Sequence, residues 1–149
     1  MQTSIPEFGA AVPGQSYILR HGGYGVIRNN TGYIAVVLTP QGTFLPGGGQ
    51  EPGETPEQAL IREVREECGI DIRVGNCIGV ADELVFGREE NTYFRKRCTF
   101  LTAQPVGTGQ ACGIESDHRL VWLSVDDAVL QLVHVSQRWA VEARGAKWG

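Results

Sequence analysis

The sequence lacks the patterns that mark zinc sites, disulfide frameworks and membrane spans. Its four cysteines are scattered along 149 residues, with no Cys-x-x-Cys pair and no cluster of cysteine with histidine. We therefore expect reduced thiols and a cytoplasmic protein rather than a zinc site or a disulfide framework. No apolar run approaches the length of a membrane span, and the N-terminus has no basic region followed by an apolar stretch. Neither a membrane anchor nor a signal peptide is expected.

The sequence also has no excess of basic charge. Its 13 lysines and arginines stand against 17 aspartates and glutamates, which gives a formal net charge of −4. Wide contact with a nucleic acid polymer requires a basic surface, so we expect none, whereas a small nucleotide bound through a metal is not excluded. The length and the hydrophobic fraction of 42% predict one soluble domain over residues 1–149, with residues 1–15 as a loose N-terminal arm.

The order of apolar and turn-forming segments predicts strands first, one acidic helix in the middle and helices last. Two short strands, Tyr17–Arg20 and Tyr24–Arg28, are expected around a break at residues 21–23, and the second is expected to form a hairpin with Tyr33–Thr39. Further strands are predicted at Thr43–Leu45, Asp71–Val74, Cys77–Val85, Thr92–Thr102 and Leu120–Leu123, with a long loop over Gln104–Asp117 and helices after Ser124 and from Ser136.

The most informative stretch is Gly47–Ile70, GGGQEPGETPEQALIREVREECGI, a glycine-rich loop followed by a strongly acidic segment. Such closely spaced like charges repel, so packing stability alone does not explain them. A hard divalent cation removes the repulsion, because Mg²⁺ and Mn²⁺ take carboxylate oxygens as ligands. The stretch therefore suggests a metal site. The glutamates that crowd around Arg62 are Glu51, Glu54, Glu63, Glu66 and Glu67.

The boundaries of a helix are readable within this stretch. Thr55 is predicted to cap the N-terminus, Pro56 fits the first turn, and Gln58 completes a Thr-x-x-Gln capping box. The helix is expected to end near Cys68, with Gly69 as its C-terminal glycine. At about 100° per residue, it carries a carboxylate stripe beside an apolar stripe. A solvated acidic face is the alternative to a metal site, and the preceding glycine loop favours the metal site. The two stripes consist of Glu63, Glu66 and Glu67, and of Leu60, Ile61, Val64 and Cys68.

The segment from Gly48 to Ile70 resembles the Nudix box, G-x5-E-x7-R-E-U-x-E-E-x-G-U, in which U is aliphatic. Every specified position is filled, which is far more specific than a lone glycine-rich loop. The preceding run Leu45-Pro46-Gly47-Gly48 is similar to the MutT-like branch of that family. The residues that fill the box are Gly48, Glu54, Arg62, Glu63, Val64, Glu66, Glu67, Gly69 and Ile70.

This resemblance implies an α/β fold, the Nudix-type α/β/α sandwich with a mixed β-sheet flanked by helices. It also implies a pyrophosphohydrolase that uses Mg²⁺ or Mn²⁺ and cleaves a nucleoside diphosphate linked to a group X by water attack at phosphorus. The small nucleotide is either a nucleoside triphosphate, as for MutT-like members, or an ADP-sugar or dinucleoside polyphosphate.

The alternative function is a catalytically silent Nudix-fold module that senses or binds a nucleotide. Such modules typically lose box glutamates, and this chain keeps them all. Many relatives are homodimers, and no surface stripe in the sequence decides whether this chain forms one.

The resemblance also assigns roles to residues of the box. The metal ligands are Glu66, Glu67 and Glu63, together with the backbone carbonyl of Gly47. Glu63 is either a ligand or the base that takes a proton from water. Arg62 would orient Glu63 or Glu66 through a charge-assisted hydrogen bond.

Each of these assignments has a simpler alternative. Arg62 can form a surface ion pair with Glu66 at i,i+4, which contributes only a few tenths of a kcal/mol. Glu54 supports the loop, either as part of the metal site or as a structural residue alone. Glu51 falls at an unspecified box position and is expected to be solvated.

Many members of the family place one more acidic residue on the loop before the late strand. Glu115 is the favoured candidate for this metal ligand or base, and Asp117 is the next. Glu83 and Glu90 are further candidates outside the box. His118 is either a substrate contact or an ordinary loop histidine.

The basic run Arg95-Lys96-Arg97 has two interpretations. Because side chains alternate along a strand, one or two of these cations would face the cleft and hold phosphates. The run is equally typical of a basic edge strand that discourages aggregation.

Overall fold

The computed structural model describes residues 4–107 and 117–147. Within these residues the chain forms eight strands and three helices. The strands are β1 (Glu7–Phe8), β2 (Ile18–Ile27), β3 (Ile34–Thr39), β4 (Gly42–Phe44), β5 (Gly47–Gly49), β6 (Ile72–Gly87), β7 (Thr92–Pro105) and β8 (Arg119–Leu123). The helices are α1 (Pro56–Cys68), α2 (Val125–Gln131) and α3 (Val135–Lys147). None of these three helices has the length and apolar character needed to cross a membrane.

The strands form two sheets. The larger sheet has the order β1-β6-β7-β2-β5 and is mixed, since β7 runs antiparallel to β6 and parallel to β2. The smaller sheet is antiparallel, with the order β4-β3-β8.

Apolar cores lie on both faces of the larger sheet, because successive residues of a strand point to opposite faces. Val26 of β2 belongs to the core that contains Val141 of α3, whereas Ile27 belongs to the core that contains Leu60 and Val64 of α1. All five side chains are fully buried. Helices therefore cover both faces, which confirms the predicted sandwich with a mixed sheet.

The predicted break at residues 21–23 is wrong, because β2 is one continuous strand. Through this segment it pairs with β5 on one edge and with β7 on the other. A Cβ atom on Gly23 would lie 2.1 Å from the carbonyl oxygen of Pro56. Glycine is required here because the first turn of α1 packs directly against the strand, and not because the chain turns.

The predicted hairpin between Tyr24–Arg28 and Tyr33–Thr39 is also wrong. An isolated bridge joins Arg28 to Ile34, and β3 then joins the smaller sheet. The turn that redirects the chain is held by the side-chain oxygen of Asn29, which accepts hydrogen bonds from the backbone N–H groups of residues 31 and 33 at 3.1 and 3.0 Å.

The predicted interruption at Gly75-Asn76 is an irregularity inside one long strand, β6. The pairing of β6 with β7 shifts register on both sides of Cys77. The backbone N–H of Asn76 donates to Oγ1 of Thr102 at 2.8 Å. A bulge therefore absorbs the residues that the sequence predicted to end the strand.

Part of the expected N-terminal arm is held against the larger sheet. Strand β1 pairs in parallel with β6, and the backbone N–H of Asp82 donates to the carbonyl of Pro6 at 2.8 Å. The carboxylate of Glu7 forms an ion pair with Arg95 of β7.

The helix boundaries confirm the predicted capping residues. The Thr55 side chain accepts from the backbone N–H of Gln58 at 3.1 Å, and the Gln58 side chain accepts from the Thr55 backbone at 2.9 Å. Gly69 takes the left-handed conformation with φ of 67°. Ser124 caps α2 by accepting from the backbone N–H of Asp127 at 3.1 Å.

Helix α3 is capped by a residue that is distant in sequence. The carboxylate of Glu83 in β6 accepts hydrogen bonds from the backbone N–H groups of Ser136 at 2.8 Å and Val135 at 3.3 Å, and it lies 3.3 Å from Nδ1 of His134. Burial raises the pKa of Glu83, but the hydrogen bonds from His134 and Ser136 outweigh burial and hold this pKa at about 2. The negative charge also suits the positive end of the helix dipole.

We expect Glu83→Gln to flatten the acid dependence of stability. The pKa of Glu83 is about 2 in the folded state against an ordinary value of 4.5. Its ionised form therefore stabilises the fold fully above pH 4.5 and loses this contribution as the pH falls towards 2. Urea unfolding at a series of pH values should show the variant less stable than wild type at pH 7, with the difference shrinking below pH 4.5. Glu90→Gln, in the exposed turn after β6, is the control, and equal pH profiles for all three proteins would contradict the role of Glu83.

We expect Gly23→Ala to lower the free energy of unfolding by about 3 kcal/mol or more, because its methyl group overlaps the Pro56 carbonyl. Gly49→Ala is the matched control, since a Cβ there would come no closer than 3.9 Å to the His21 carbonyl oxygen. Urea unfolding measures both variants. Equal stability of the two would show that α1 does not pack on β2 as described.

Candidate active site

The glycine loop of β5 lies directly against the acidic stripe of α1. Gly47 has φ of 138°, and a Cβ atom on it would lie 2.2 Å from the carbonyl oxygen of Gly23. A Cβ atom on Gly48 would lie 2.6 Å from the carboxyl carbon of Glu63. Glycine at these positions therefore lets two backbone segments and one carboxylate occupy the same small space.

Arg62 joins the loop to the helix. Its Nε and Nη2 atoms donate to the two carboxylate oxygens of Glu54 at 2.7 and 2.9 Å, a bidentate pair. Nη2 also donates to the carbonyl oxygen of Gly49 at 2.9 Å. Nη1 donates to Glu63 at 2.9 Å and to Glu66 at the longer distance of 3.4 Å. Arg62 therefore contacts both predicted partners, while its strongest partner is Glu54, which the sequence did not connect with it.

Glu54 ties the loop together. Its carboxylate accepts from the backbone N–H of Glu51 at 2.9 Å, and its carbonyl accepts from the side chain of Gln50 at 2.7 Å. The hydrogen bond from Arg62, helped by the one from Glu51, lowers the pKa of Glu54 to about 2. These contacts favour loop support as the role of Glu54. The side chain of Glu51 is 66% exposed, as expected of a solvated position.

The three glutamates of the stripe differ in exposure. Glu67 is 15% exposed, and its Oε1 accepts from the backbone N–H of Gly47 at 3.1 Å. Glu63 is 23% exposed and Glu66 is 53% exposed. Nδ1 of His118, the residue before β8, lies 3.9 Å from Oε2 of Glu67. The sequence predicted His118 as a substrate contact or an ordinary loop histidine, and it did not predict the position beside Glu67, because residues 67 and 118 are distant along the chain.

The donor atoms fit a hard divalent cation. Carboxylates of α1 and carbonyls of β5 are all oxygen donors, the type that Mg²⁺ and Mn²⁺ prefer. The space beside Glu63 is one that a side chain on Gly48 would fill. Among the described residues, however, no three acidic, histidine or cysteine side chains already converge as ligands. Arg62 donates to one oxygen of Glu63, and the backbone N–H of Gly47 donates to one oxygen of Glu67.

The candidates outside the box are placed differently from one another. Glu115 lies outside the described residues. Asp117 is 62% exposed, and its Oδ1 lies 3.8 Å from Nε2 of His118. Glu83 lies on the same face of the larger sheet as its register partner Lys96, and it caps α3. Glu90 is exposed in the turn between β6 and β7. Asp117 is therefore linked to the acidic stripe by His118, which lies within 4 Å of both Asp117 and Glu67. The carboxylate of Glu83 is occupied by the N-terminus of α3.

The basic run on β7 is divided between two faces of the sheet. Arg97 forms a bidentate pair with the buried carboxylate of Asp82 at 2.9 Å, and Arg95 contacts the same carboxylate at 3.1 Å. These arginines, Arg97 first, lower the pKa of Asp82. Lys96 points to the opposite face, where it lines a recess with Gly49.

A wide cleft opens beside the box. It has a volume of about 660 Å³ and is lined on one side by Arg20 and His21 of β2, and on the other by Gly49, Arg62 and Glu63. The cleft is large enough for a small phosphorylated ligand. A cation held by the carboxylates beside this cleft would contact the anionic group of such a ligand, and Glu63 would lie next to that group.

Known proteins are similar to this chain in part of the sequence and in the fold. The chain is 30% identical over 90 residues to human diphosphoinositol polyphosphate phosphohydrolase 3-alpha, an alignment that covers 60% of this chain and 52% of that protein. The chain thus spans about half the length of the curated relatives that it matches. A NUDIX hydrolase from Nitrosomonas europaea superposes with a TM-score of 0.69 at 21% identity, covering 86% of this chain and 89% of that one. The MutT protein from Methanosarcina mazei Go1 gives a TM-score of 0.66 at 19% identity, covering 88% and 96%.

The family assignment rests on the domain as a whole. The model of the NUDIX domain matches residues 19–143, which include the box, both sheets except β1 and the first residue of β2, and all three helices except the last four residues of α3. The sequence identities to the two solved structures are only 21% and 19%, so these similarities show the fold alone. With a complete box in that fold, the chain belongs to the Nudix hydrolase family, in agreement with the resemblance of its sequence.

Proposed function

We propose that this protein is a metal-dependent Nudix pyrophosphohydrolase that cleaves the diphosphate of a small substrate, a nucleoside diphosphate linked to a group X. The observation that carries the proposal is the contact between the acidic stripe of α1 and the glycine loop of β5, with Arg62 joining them. Carboxylates this close to one another repel, and a cation bound between them and the backbone carbonyls would remove that repulsion.

The metal would be held by Glu63, Glu66 and Glu67 with the carbonyl of Gly47. When bound, a divalent ion neutralises charge on phosphate oxygens and lowers the pKa of water. Arg62 donates to one oxygen of Glu63 at 2.9 Å, which fixes the orientation of this carboxylate beside the proposed ion and the attacking water. Glu54 fixes Arg62 in turn, so it acts on the chemistry through another side chain.

An acid outside the box completes the proposed site. Glu115 keeps this role as a prediction from the family resemblance. Asp117 is the second candidate, which is supported by the position of His118 within 4 Å of both Asp117 and Glu67.

The substrate class is proposed from the cleft and from the names of relatives. A nucleoside triphosphate, an ADP-sugar and a dinucleoside polyphosphate all present a diphosphate. The curated relatives act, by name, on diphosphoinositol polyphosphates, which also carry one. A silent sensing module is the less supported alternative, because every box glutamate is present and the arginine that orients them is engaged.

We expect Glu67→Gln to reduce the turnover number by about a hundredfold or more while the protein stays folded, because one charged oxygen donor is lost from the proposed metal site. The assay measures phosphate released from a panel of nucleotides, ADP-ribose and diphosphoinositol polyphosphate in the presence of Mg²⁺ or Mn²⁺ and a coupling phosphatase. Glu89→Gln removes the same charge from an exposed side chain in the turn between β6 and β7, away from the box, and should retain activity. A Glu67→Gln enzyme with wild-type rate and metal affinity would refute the assignment of the site.

We expect Mg²⁺ to raise the melting temperature, because a cation that binds only the folded state stabilises it by mass action. At ten times the dissociation constant the gain is about 1.4 kcal/mol, or about 3–5 °C for a chain of this size. Differential scanning calorimetry with matched NaCl separates the effect from ionic strength. Glu67→Gln should lose most of the shift. A melting temperature unchanged by millimolar Mg²⁺ in the wild type would argue against the site.

A further inference from the structure

Two cations occupy neighbouring positions beside the box. Arg20 of β2 and Lys96 of β7 are register partners in parallel strands. Adjacent strands lie about 4.8 Å apart, and partners in register point to the same face. Both side chains line a recess of about 80 Å³ whose other walls include Gly22, Tyr24 and Gly49.

This pair differs from the other cations at this end of the sheet. Arg62, Arg95 and Arg97 each lie within 4 Å of at least one carboxylate. Within residues 4–107 and 117–143, no carboxylate lies that close to Arg20 or Lys96. Glu83 is the register partner of Lys96 on the other side, but its oxygens are engaged by the first turn of α3 and by His134.

Like charges on adjacent strands repel, so a bound anion would stabilise this arrangement. The Arg20 guanidinium is also held in place, since it lies 4.4 Å from the centre of the Phe94 ring. Both side chains suit phosphate, the arginine through its planar fork of donors and the lysine as a mobile point charge.

The recess adjoins the site. Arg20 and Gly49 line both the recess and the wide cleft that contains Glu63. The carbonyl of Gly49 accepts from Arg62, so the boundary between the two spaces is fixed to the box itself. A substrate with several linked phosphoryl groups could therefore place one group in the cleft and another in the recess.

We propose that Arg20 and Lys96 form a phosphate subsite that binds a phosphoryl group outside the diphosphate that is cleaved. The inference rests on the proposed function of the box. It identifies the preferred substrates as molecules with three or more phosphoryl groups and places ADP-ribose, which has only the diphosphate, among the poorer ones.

Kinetic comparison of two substrate types tests the subsite. Arg20→Gln and Lys96→Gln should each raise KM about tenfold for diadenosine tetraphosphate or a diphosphoinositol polyphosphate, with kcat changed little and with the KM for ADP-ribose within about twofold of wild type. Arg88→Gln removes an exposed arginine from the turn between β6 and β7 and should change neither. Whichever of the two phosphate-rich substrates is turned over identifies the source of the extra phosphate. An equal rise in KM for ADP-ribose, or no rise for any substrate, would overturn the subsite.

Binding of inorganic tripolyphosphate provides a readout that does not depend on turnover. Calorimetry without added metal should show binding to the wild type and to Arg88→Gln, weakened about tenfold in Lys96→Gln. Lys96→Gln serves here because the lysine makes no stacking contact like that of Arg20 with Phe94, and a thermal melt checks its fold. If the wild type hydrolyses nothing, tripolyphosphate binding that depends on Lys96 still supports the subsite while the proposed function fails. Binding unaffected by Lys96→Gln refutes the subsite even if the enzyme is active.

Discussion

The guanidinium group of Arg62 is the contact on which the candidate site depends. It binds Glu54 in the loop before α1, the Gly49 carbonyl at the end of β5 and Glu63 on the helix. The glutamates around it would otherwise repel one another, and the loop would be free to move away from the helix. Charge-assisted hydrogen bonds to a planar donor fix both distance and orientation. A cation site needs this fixed arrangement, because ligands that are an ångström out of place bind weakly.

Glycine makes the same arrangement sterically possible. Gly23 lets the first turn of α1 approach β2, Gly47 lets β5 approach β2, and Gly48 lets Glu63 approach β5. In each case a carbonyl or a carboxylate group occupies the space that a Cβ atom would take. Backbone contacts between one helix and two strands therefore bring the glycine loop of β5 against the carboxylates of α1, which are the oxygen donors of the proposed metal site.

Consecutive acidic residues of β6 show how the fold distributes its charges between the two faces of the sheet. Asp82 points to one face and binds Arg97 and Arg95, whereas Glu83 points to the other and caps α3. Both carboxylates serve the architecture. As a consequence, the basic run of β7 is neutralised on the face of Asp82, and on the other face Lys96 is left beside Arg20 next to the cleft. The positive charge beside the cleft is thus not neutralised by Asp82 or Glu83, because Asp82 pairs with Arg95 and Arg97 and Glu83 caps α3.

The sequence by itself determined α1, its caps and the positions of the box, because these depend on hydrogen bonds and side-chain spacing within a few residues of one another. It also determined the class of fold, since a complete box occurs in a chain of matching length and order of elements. The tertiary structure decided that β2 continues through its glycines, that β3 joins the other sheet, that Glu54 is the main partner of Arg62 and that Glu83 caps a helix. Each of these depends on a neighbour distant along the chain: Gly23 on Pro56, Glu83 on Ser136. Local propensity carries no information about such contacts, which exist only once the sheets and helices have packed.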